Sequence, residues 1–286
     1  GKNAKNASMG GITLSYGDGY SVVHKENNKT TSIDFSHNNK FGGQVQIFIL
    51  SFFHPGKKNP LYVGLTSRSI GNIPNTVNPC DPITLACNYL EINYFSQQEI
   101  GLQFSTTRFL GPYTLGFNLK PSFMGLAEFG KGYSIYGDVS AMLSPNDKSS
   151  ILLRLEDILW YKYWNTGTVE TMKPLVIGGV YYWNSILTIG LESGSRIENN
   201  TLWYYHLGIE YKQLDNLFFR MGSSHSNPVT VGLGIKLSIV NFSYAYLHPA
   251  KEKPFEETHI FSIGIRLSEI LNIHYEKYIE GNHATC

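Results

Sequence analysis

Charge is what this sequence has least of. Asp, Glu, Lys and Arg together make up 16% of it, against roughly 25% in an ordinary soluble protein. The charged surface of a soluble domain therefore has little to be built from. The 23 basic and 22 acidic residues nearly cancel, which leaves no electrostatic footprint for nucleic acid. Long apolar runs are missing too. No stretch approaches the roughly 18–20 residues of a membrane-crossing helix. There is no Gly-x-Ser-x-Gly, no His-Glu-x-x-His and no Walker sequence. The nine His are scattered singly. The adjacent carboxylates Glu156 and Asp157 cannot share a proton in a strand, because neighbouring residues point to opposite faces. No residue is singled out as catalytic, no metal set or cofactor is expected, and the chain reads as a non-enzyme.

What is abundant is aromatic and small. Tyr (19), Phe (16) and Gly (28) are frequent, which is too much apolar surface for a disordered chain. Period-two alternation runs through most of the sequence, the signature of strands. Leu115, Phe117 and Leu119 alternate with Gly116, Asn118 and Lys120. Trp203, Tyr205, Leu207, Ile209 and Tyr211 alternate with Tyr204, His206, Gly208 and Glu210. Polar turns such as Asn146-Asp147-Lys148 and Leu214-Asp215-Asn216 separate the runs. About 14 or 15 strands result, most of roughly 8 to 11 residues, near the 9–11 that a tilted strand needs to cross a bilayer. Two of them are read as separate strands, 88–96 and the run around Ile100–Phe104. The one helical piece is expected around 14–26.

The two strand faces differ in chemistry. One is aliphatic and aromatic; the other carries Gly, Ser, Thr, Asn and scattered charge. A soluble sandwich turns the charged face outward, whereas a membrane barrel turns it into the lumen. Low charge, long strands and aromatics near strand ends favour the barrel. On that reading Glu99, Lys120, Asp138, Arg154, Glu156, His206, Glu210, Lys212, Lys236 and Arg266 face the lumen. Arg154 with Glu156, and Glu210 with Lys212, are expected to pair along its wall. Trp160, Tyr161, Tyr163, Trp164, Tyr181, Trp183, Trp203 and Tyr205 are expected to form an aromatic girdle. Of three Cys, Cys80 and Cys87 flank a Pro-containing loop. A disulfide between them would contribute roughly 2–3 kcal/mol on the loop-entropy model; the alternatives are free thiols or half of a metal site. The start of the chain has no apolar leader, so a mature form with its signal peptide removed is expected.

Several segments carry a resemblance. They are Leu-Gly-Ile-Glu-Tyr (207–211), Leu-Phe-Phe-Arg-Met-Gly (217–222), Val-Gly-Leu-Gly-Ile-Lys-Leu (231–237), Asn-Phe-Ser-Tyr-Ala-Tyr (241–246) and His-Ile-Phe-Ser-Ile-Gly-Ile-Arg-Leu (259–267). With Ala-Ser-Met-Gly-Gly (7–11) and the stretch 154–159, they resemble the PorV/PorQ-like outer-membrane proteins, which are similar in fold to the fatty-acid transporter FadL. The resemblance implies a fourteen-stranded barrel with an N-terminal segment in the lumen, and Met9, Gly10 and Gly11 as part of a hatch. The chain departs from that pattern after Leu267, where 19 further residues follow.

The expected fold is therefore all-β, a transmembrane antiparallel β-barrel of about fourteen strands. Residues 1–30 form a hatch or plug-like segment, 31–267 the barrel, and 268–286 an extension or extra strand. The expected setting is the bacterial outer membrane. The expected function is a conduit for small hydrophobic or amphipathic molecules, with membrane lipid and a hydrophobic ligand as partners. The alternatives are a scaffold in a protein-secretion or surface-assembly complex, binding protein partners through its loops and tail, and a purely structural surface protein. A soluble lectin-like protein would need the charged face outside.

Overall fold

A computed structural model describes residues 3–12, 30–56, 59–74, 93–126, 130–171, 173–196, 203–250 and 257–267. The chain opens with a short helix, α1 (Ala4–Ser8). The strands that follow are β1 (Ser32–Lys40), β2 (Val45–His54), β3 (Leu61–Pro74), β4 (Tyr94–Leu110), β5 (Tyr113–Leu126), β6 (Gly130–Asn146) and β7 (Ser149–Trp164). Next come a two-residue spur, β8 (Val169–Glu170), then β9 (Leu175–Trp183), β10 (Leu187–Arg196) and β11 (Trp203–Leu214). The last are β12 (Leu217–Ser224), β13 (Val229–Lys236), β14 (Val240–His248) and β15 (Thr258–Arg266). All pair antiparallel with their chain neighbours, β7 passing over the spur to β9, and β1 pairs with β15. Apart from the spur, these strands close a fourteen-stranded antiparallel barrel with no free edge. Closure satisfies every ladder within the chain, which is what a strand structure in a bilayer requires.

Alternation decides the two surfaces. Phe104, Phe117, Leu153, Val180, Phe219, Leu233 and Phe261 point outward and are exposed. Asn118, Asp138, Arg154, Glu192 and Arg220 point inward and are buried. The polar interior and apolar exterior are the inverse of a soluble sandwich.

The connections at one end are short: 111–112, 147–148, 184–186, 215–216 and 237–239. Their side chains build the turns. Asn184 Oδ1 accepts from the amides of Ile186 and Leu187 at 2.8 and 2.7 Å, and Asn146 Oδ1 from that of Lys148 at 2.9 Å, the local bonds that make Asn a turn residue. The long connection 75–93 and most of the longer ones lie at the opposite end.

Strand length is uneven. β4 and β6 have 17 residues each, whereas β12 and β13 have eight. The two runs read separately at 88–96 and 100–104 are, as far as the described residues reach, one strand from Tyr94. The polar Gln97-Gln98-Glu99 between them continues the ladder, with Arg68 opposite Glu99. Two long strands are irregular. β3 shifts register between Ile70 and Ile73, with Asn72 at φ 55°. In β7 the ladder jumps from Val139↔Leu155 to Gly137↔Leu159, so residues 156–158 bulge opposite Asp138. Asp157 takes φ 59° there, and its amide donates to Asp138 Oδ1 at 2.9 Å. Residues 14–26 and 268–286, Cys80, Cys87 and most of the loop 67–87 lie outside the described residues.

Candidate functional site

The barrel interior contains a guest from its own chain. Asn3 caps α1, its Oδ1 accepting from the Asn6 amide at 3.0 Å. The helix ends at Met9, and Gly10 and Gly11 turn the chain at φ 69° and 90°. Ala4, Asn6, Ala7, Ser8, Met9 and Ile12 are all at most 2% exposed. A five-residue helix does not hold itself together in water; burial against the wall does that here. Full burial of Met9 and Ile12 contributes about 1.5–3 kcal/mol each.

The wall that receives this segment is β11 to β15. Three inward glycines make room for backbone. A Cβ at Gly208 would lie 2.4 Å from Met9 O, one at Gly222 2.2 Å from the Gly10 nitrogen, and one at Gly232 2.4 Å from Ser8 Cβ. Thr230 bonds the segment twice: its hydroxyl accepts from the Gly10 amide at 3.0 Å and donates to Ser8 O at 2.8 Å. His206 Nδ1 donates to Gly10 O at 2.7 Å. The Ala4 amide donates to Ser262 Oγ at 2.9 Å. Ala4 and Ala7 pack on Ala245 and Ile260. Lys5 Nζ lies 3.4 Å from Glu210 Oε1, while Arg220 Nε holds the other oxygen at 2.6 Å. Met9, Gly10 and Gly11 are thus all against or beside this wall.

The opposite wall carries charge pairs instead. Arg68 pairs with Glu99 at 2.5 Å and Lys120 with Asp138 at 2.7 Å. Asn118 Nδ2 donates to Asp138 at 2.7 Å. Arg154 lies 2.9 Å from Glu156 and 3.7 Å from Glu192, which also accepts from Tyr181 Oη at 2.6 Å. Arg196 reaches Asp157 in the β7 bulge at 3.0 Å. Burying these charges is tolerable because each has a partner.

Of the lumen positions read from sequence, Glu99, Lys120, Asp138, Arg154, Glu156, His206 and Glu210 lie inside the barrel. Lys212, Lys236 and Arg266 stand at the short-turn rim. Lys212 pairs with Asp215 of its own turn at 2.7 Å rather than with Glu210, because Arg220 on the neighbouring strand and Lys5 occupy that carboxylate. Arg266 donates to the carbonyls of Leu237 and Ser238. Lys5, Arg68, Glu192 and Arg196 are lumen charges that the reading of the sequence misses. Gly190, Glu192 and Gly194 share one parity, which is the signal that places Glu192.

The girdle needs correcting. Trp203 and Tyr205 face outward, as do Tyr161 and Tyr163, whose rings stand with that of Tyr133. Trp160 lies beside inward Tyr136, and Trp164 Nε1 donates to Glu170 at 2.8 Å. Tyr181 is buried with Met142 and Leu152, and Trp183 packs against them. Consecutive aromatics in a strand cannot share a face, so a run such as Trp160 to Trp164 splits between lumen and exterior. Among the described residues no cluster of three or more His, Cys, Asp or Glu is arranged to hold a metal.

No family model matches this sequence, and no curated protein matches it. Solved structures do. The toluene transporter TodX of P. putida superposes with a TM-score of 0.68 at 9% identity, over 93% of this chain and 98% of that one. The toluene transporter TbuX of Ralstonia pickettii gives 0.63 at 10%, over 93% and 98%. A FadL homologue of Pseudomonas aeruginosa gives 0.51 at 10%, over 92% and 97%. At such identities the likeness is one of architecture: this chain has the barrel fold of these channels.

Proposed function

We propose that the protein is an outer-membrane conduit for small hydrophobic or amphipathic molecules, with the N-terminal segment as its hatch. The observation that carries this is the seating of residues 3–12. The segment occupies the lumen and docks on the wall β11 to β15 through glycine notches and a few hydrogen bonds. A segment held that way can leave without dismantling the barrel. The apolar exterior suits membrane lipid, and the transporters named above, with the FadL homologue, share the fold. On this reading the chain acts after removal of a signal peptide and works by binding and passage, without chemistry. Residues 1–30 act as hatch, 31–267 as barrel and 268–286 as an extension.

The alternative, a PorV/PorQ-like scaffold with protein partners in export, would act through the loop 67–87, the tail 268–286 and the Cys80–Cys87 pair. Only residues 67–74 of these are among those described, and nothing in them favours it. The test is uptake of toluene by Gram-negative cells that carry the barrel in an outer membrane whose lipopolysaccharide leaflet resists apolar solutes. Entry faster than into cells without the barrel, and faster again with Gly208→Val, is the expected result. Rates equal to cells without the barrel for both proteins would sink the conduit.

A further inference from the structure

The outward apolar belt is not the same height all round. On β5 six outward positions, Tyr113, Leu115, Phe117, Leu119, Pro121 and Phe123, are apolar in succession. Ten residue steps at about 3.4 Å, tilted about 40°, make a belt about 26 Å tall, close to the roughly 25 Å of outer-membrane barrels. On β15 only Phe261, Ile263 and Ile265 qualify, and on β3 only Leu61, Val63 and Leu65. Four steps make about 10 Å by the same arithmetic.

The shortfall is at the long-connection side. One outward rung runs His259↔Asn39↔Gln46↔Ser69↔Gln98 and continues through Gly125 to Lys131. It carries no aliphatic side chain and bounds the belt from β15 to β6. Rungs are oblique to the barrel axis. The next outward rung, through His37, Phe48, Ser67, Ile100, Phe123 and Tyr133, meets β7 at Tyr163, one residue from the long-connection end of that strand. The belt's upper edge therefore climbs from β15 to β7. Its lower edge steps down from rung to rung, reaching Tyr113 on β5 beside Leu110 of β4, with Thr106 and Arg108 of β4 outward just above it. Tilting the whole barrel moves both edges together and cannot equalise the heights.

Interfacial aromatics follow the same oblique edge. At its low part, Tyr244 Oη bonds His259 Nδ1 at 2.8 Å and Tyr246 Oη donates to Glu257 at 2.6 Å. At its high part stand Tyr133, Tyr161 and Tyr163. Rings with polar tips mark the headgroup level, so lipid headgroups, and not an apolar protein face, match both parts of the edge.

We propose that the barrel holds the bilayer thin along the face β15 to β3, drawing headgroups and water of the leaflet on the long-connection side down to the rung of Asn39, Gln46 and Ser69. A short apolar surface thins the bilayer around it. A hydrophobic molecule at this face crosses less than half the hydrocarbon it meets at β5. The proposal rests on the reading that the barrel spans a membrane.

The test is a nitroxide placed at single cysteines in protein whose Cys80, Cys87 and Cys286 are replaced by Ser, reconstituted in vesicles of dioleoyl phosphatidylcholine. Asn39→Cys and Gln46→Cys are compared with Ile135→Cys, at a similar height on the tall face, and with Val139→Cys deep in the belt. Heat-modifiable gel mobility confirms that each variant is folded. Collisions with a water-soluble nickel chelate several-fold more frequent at 39 and 46 than at 135, with 139 accessible to oxygen alone, are the expected result. Hydrocarbon-like readings at 39 and 46 would overturn the thinning and leave the membrane barrel intact. Shielding of both positions from oxygen and chelate alike would overturn it in favour of a covering protein. Chelate access at 139 would overturn the membrane barrel itself and the thinning with it.

Discussion

The two halves of the lumen are built from one strand code and end as different surfaces. From β11 to β15 small inward positions stand among larger ones: Gly208, Gly222, Gly232 and Ala245 leave grooves that the N-terminal segment fills, beside the Glu210–Arg220 pair. From β3 to β7 the long, charged side chains of Arg68, Lys120 and Arg154 fill the space with ion pairs. A wall that must accept another piece of chain gives up side-chain volume. The wall that none of the described residues 3–12 docks on closes its surface with paired charges.

The comparison is broken most directly by filling a groove. Gly208→Val puts atoms where the Met9 carbonyl oxygen, Met9 Cβ and Ile12 Cδ1 now lie, within 2.9 Å of an added Cβ. The segment should leave the wall, losing about 3–6 kcal/mol of Met9 and Ile12 burial, with the barrel still closed. Protease cleavage within residues 3–12 and raised single-channel conductance would show it. Gly125→Val, where an added Cβ has nothing within 4 Å, is the control and should change neither. If Gly208→Val protects the segment as well as the native chain does, the groove is not what holds it.

The charged wall should respond in stability instead. Arg154→Leu leaves Glu156 and Glu192 without their guanidinium, and Glu192 is fully buried. Removing one partner of a buried pair costs about 3–5 kcal/mol, read as a lower urea midpoint for unfolding from lipid, with the N-terminal segment still protected. Lys212→Met at the rim, where Asp215 is 98% exposed, should leave that midpoint where it is.

Much of this contrast is legible in the amino-acid sequence. Period-two alternation tells which residues share a face, so Asp138, Arg154 and Glu210 fall on the lumen side from spacing alone. Spacing does not tell where a strand stops. Read from the sequence, the strand at 185–192 stops at Glu192, because Ser193, Gly194 and Ser195 carry no apolar signal; they continue the ladder opposite β11. β4 reads as two runs for a related reason, since beyond the belt its outward residues turn polar at Gln98 and Ser96. The docking of residues 3–12 is written in glycines on three different strands, more than 190 residues away in sequence. No local pattern links them to Met9, and the N-terminal placement is legible through resemblance alone.

A finer cut separates shape from hydrogen bonding within the receiving wall. Thr230→Val keeps the volume and removes both bonds to the segment, leaving the Gly10 amide and Ser8 carbonyl without them in a buried site. Each orphaned group costs about 1–3 kcal/mol. Cleavage of the segment should rise at least tenfold, less than with Gly208→Val. An unchanged rate would assign the docking to burial alone.

The smallest effect is expected at the spur beyond the tall wall. Glu170 accepts from Trp164 Nε1 at 2.8 Å and from Lys162 Nζ at 3.0 Å, and the ammonium stands 4.7 Å from the Trp164 ring. These two bonds, Trp164 first, hold the carboxyl below the usual glutamate range. A depressed pKa means that the unit's contribution is present at neutral pH and fades as pH falls through the lowered value, after exposed carboxylates have already protonated. Trp164 emission should therefore change on the acid side of the ordinary glutamate midpoint. Glu170→Gln should abolish that transition and leave both the urea midpoint and the protection of residues 3–12 unaltered. A transition that persists in Glu170→Gln would mean that acid acts on the barrel elsewhere, and the spur would then have no separate part in the contrast between the walls.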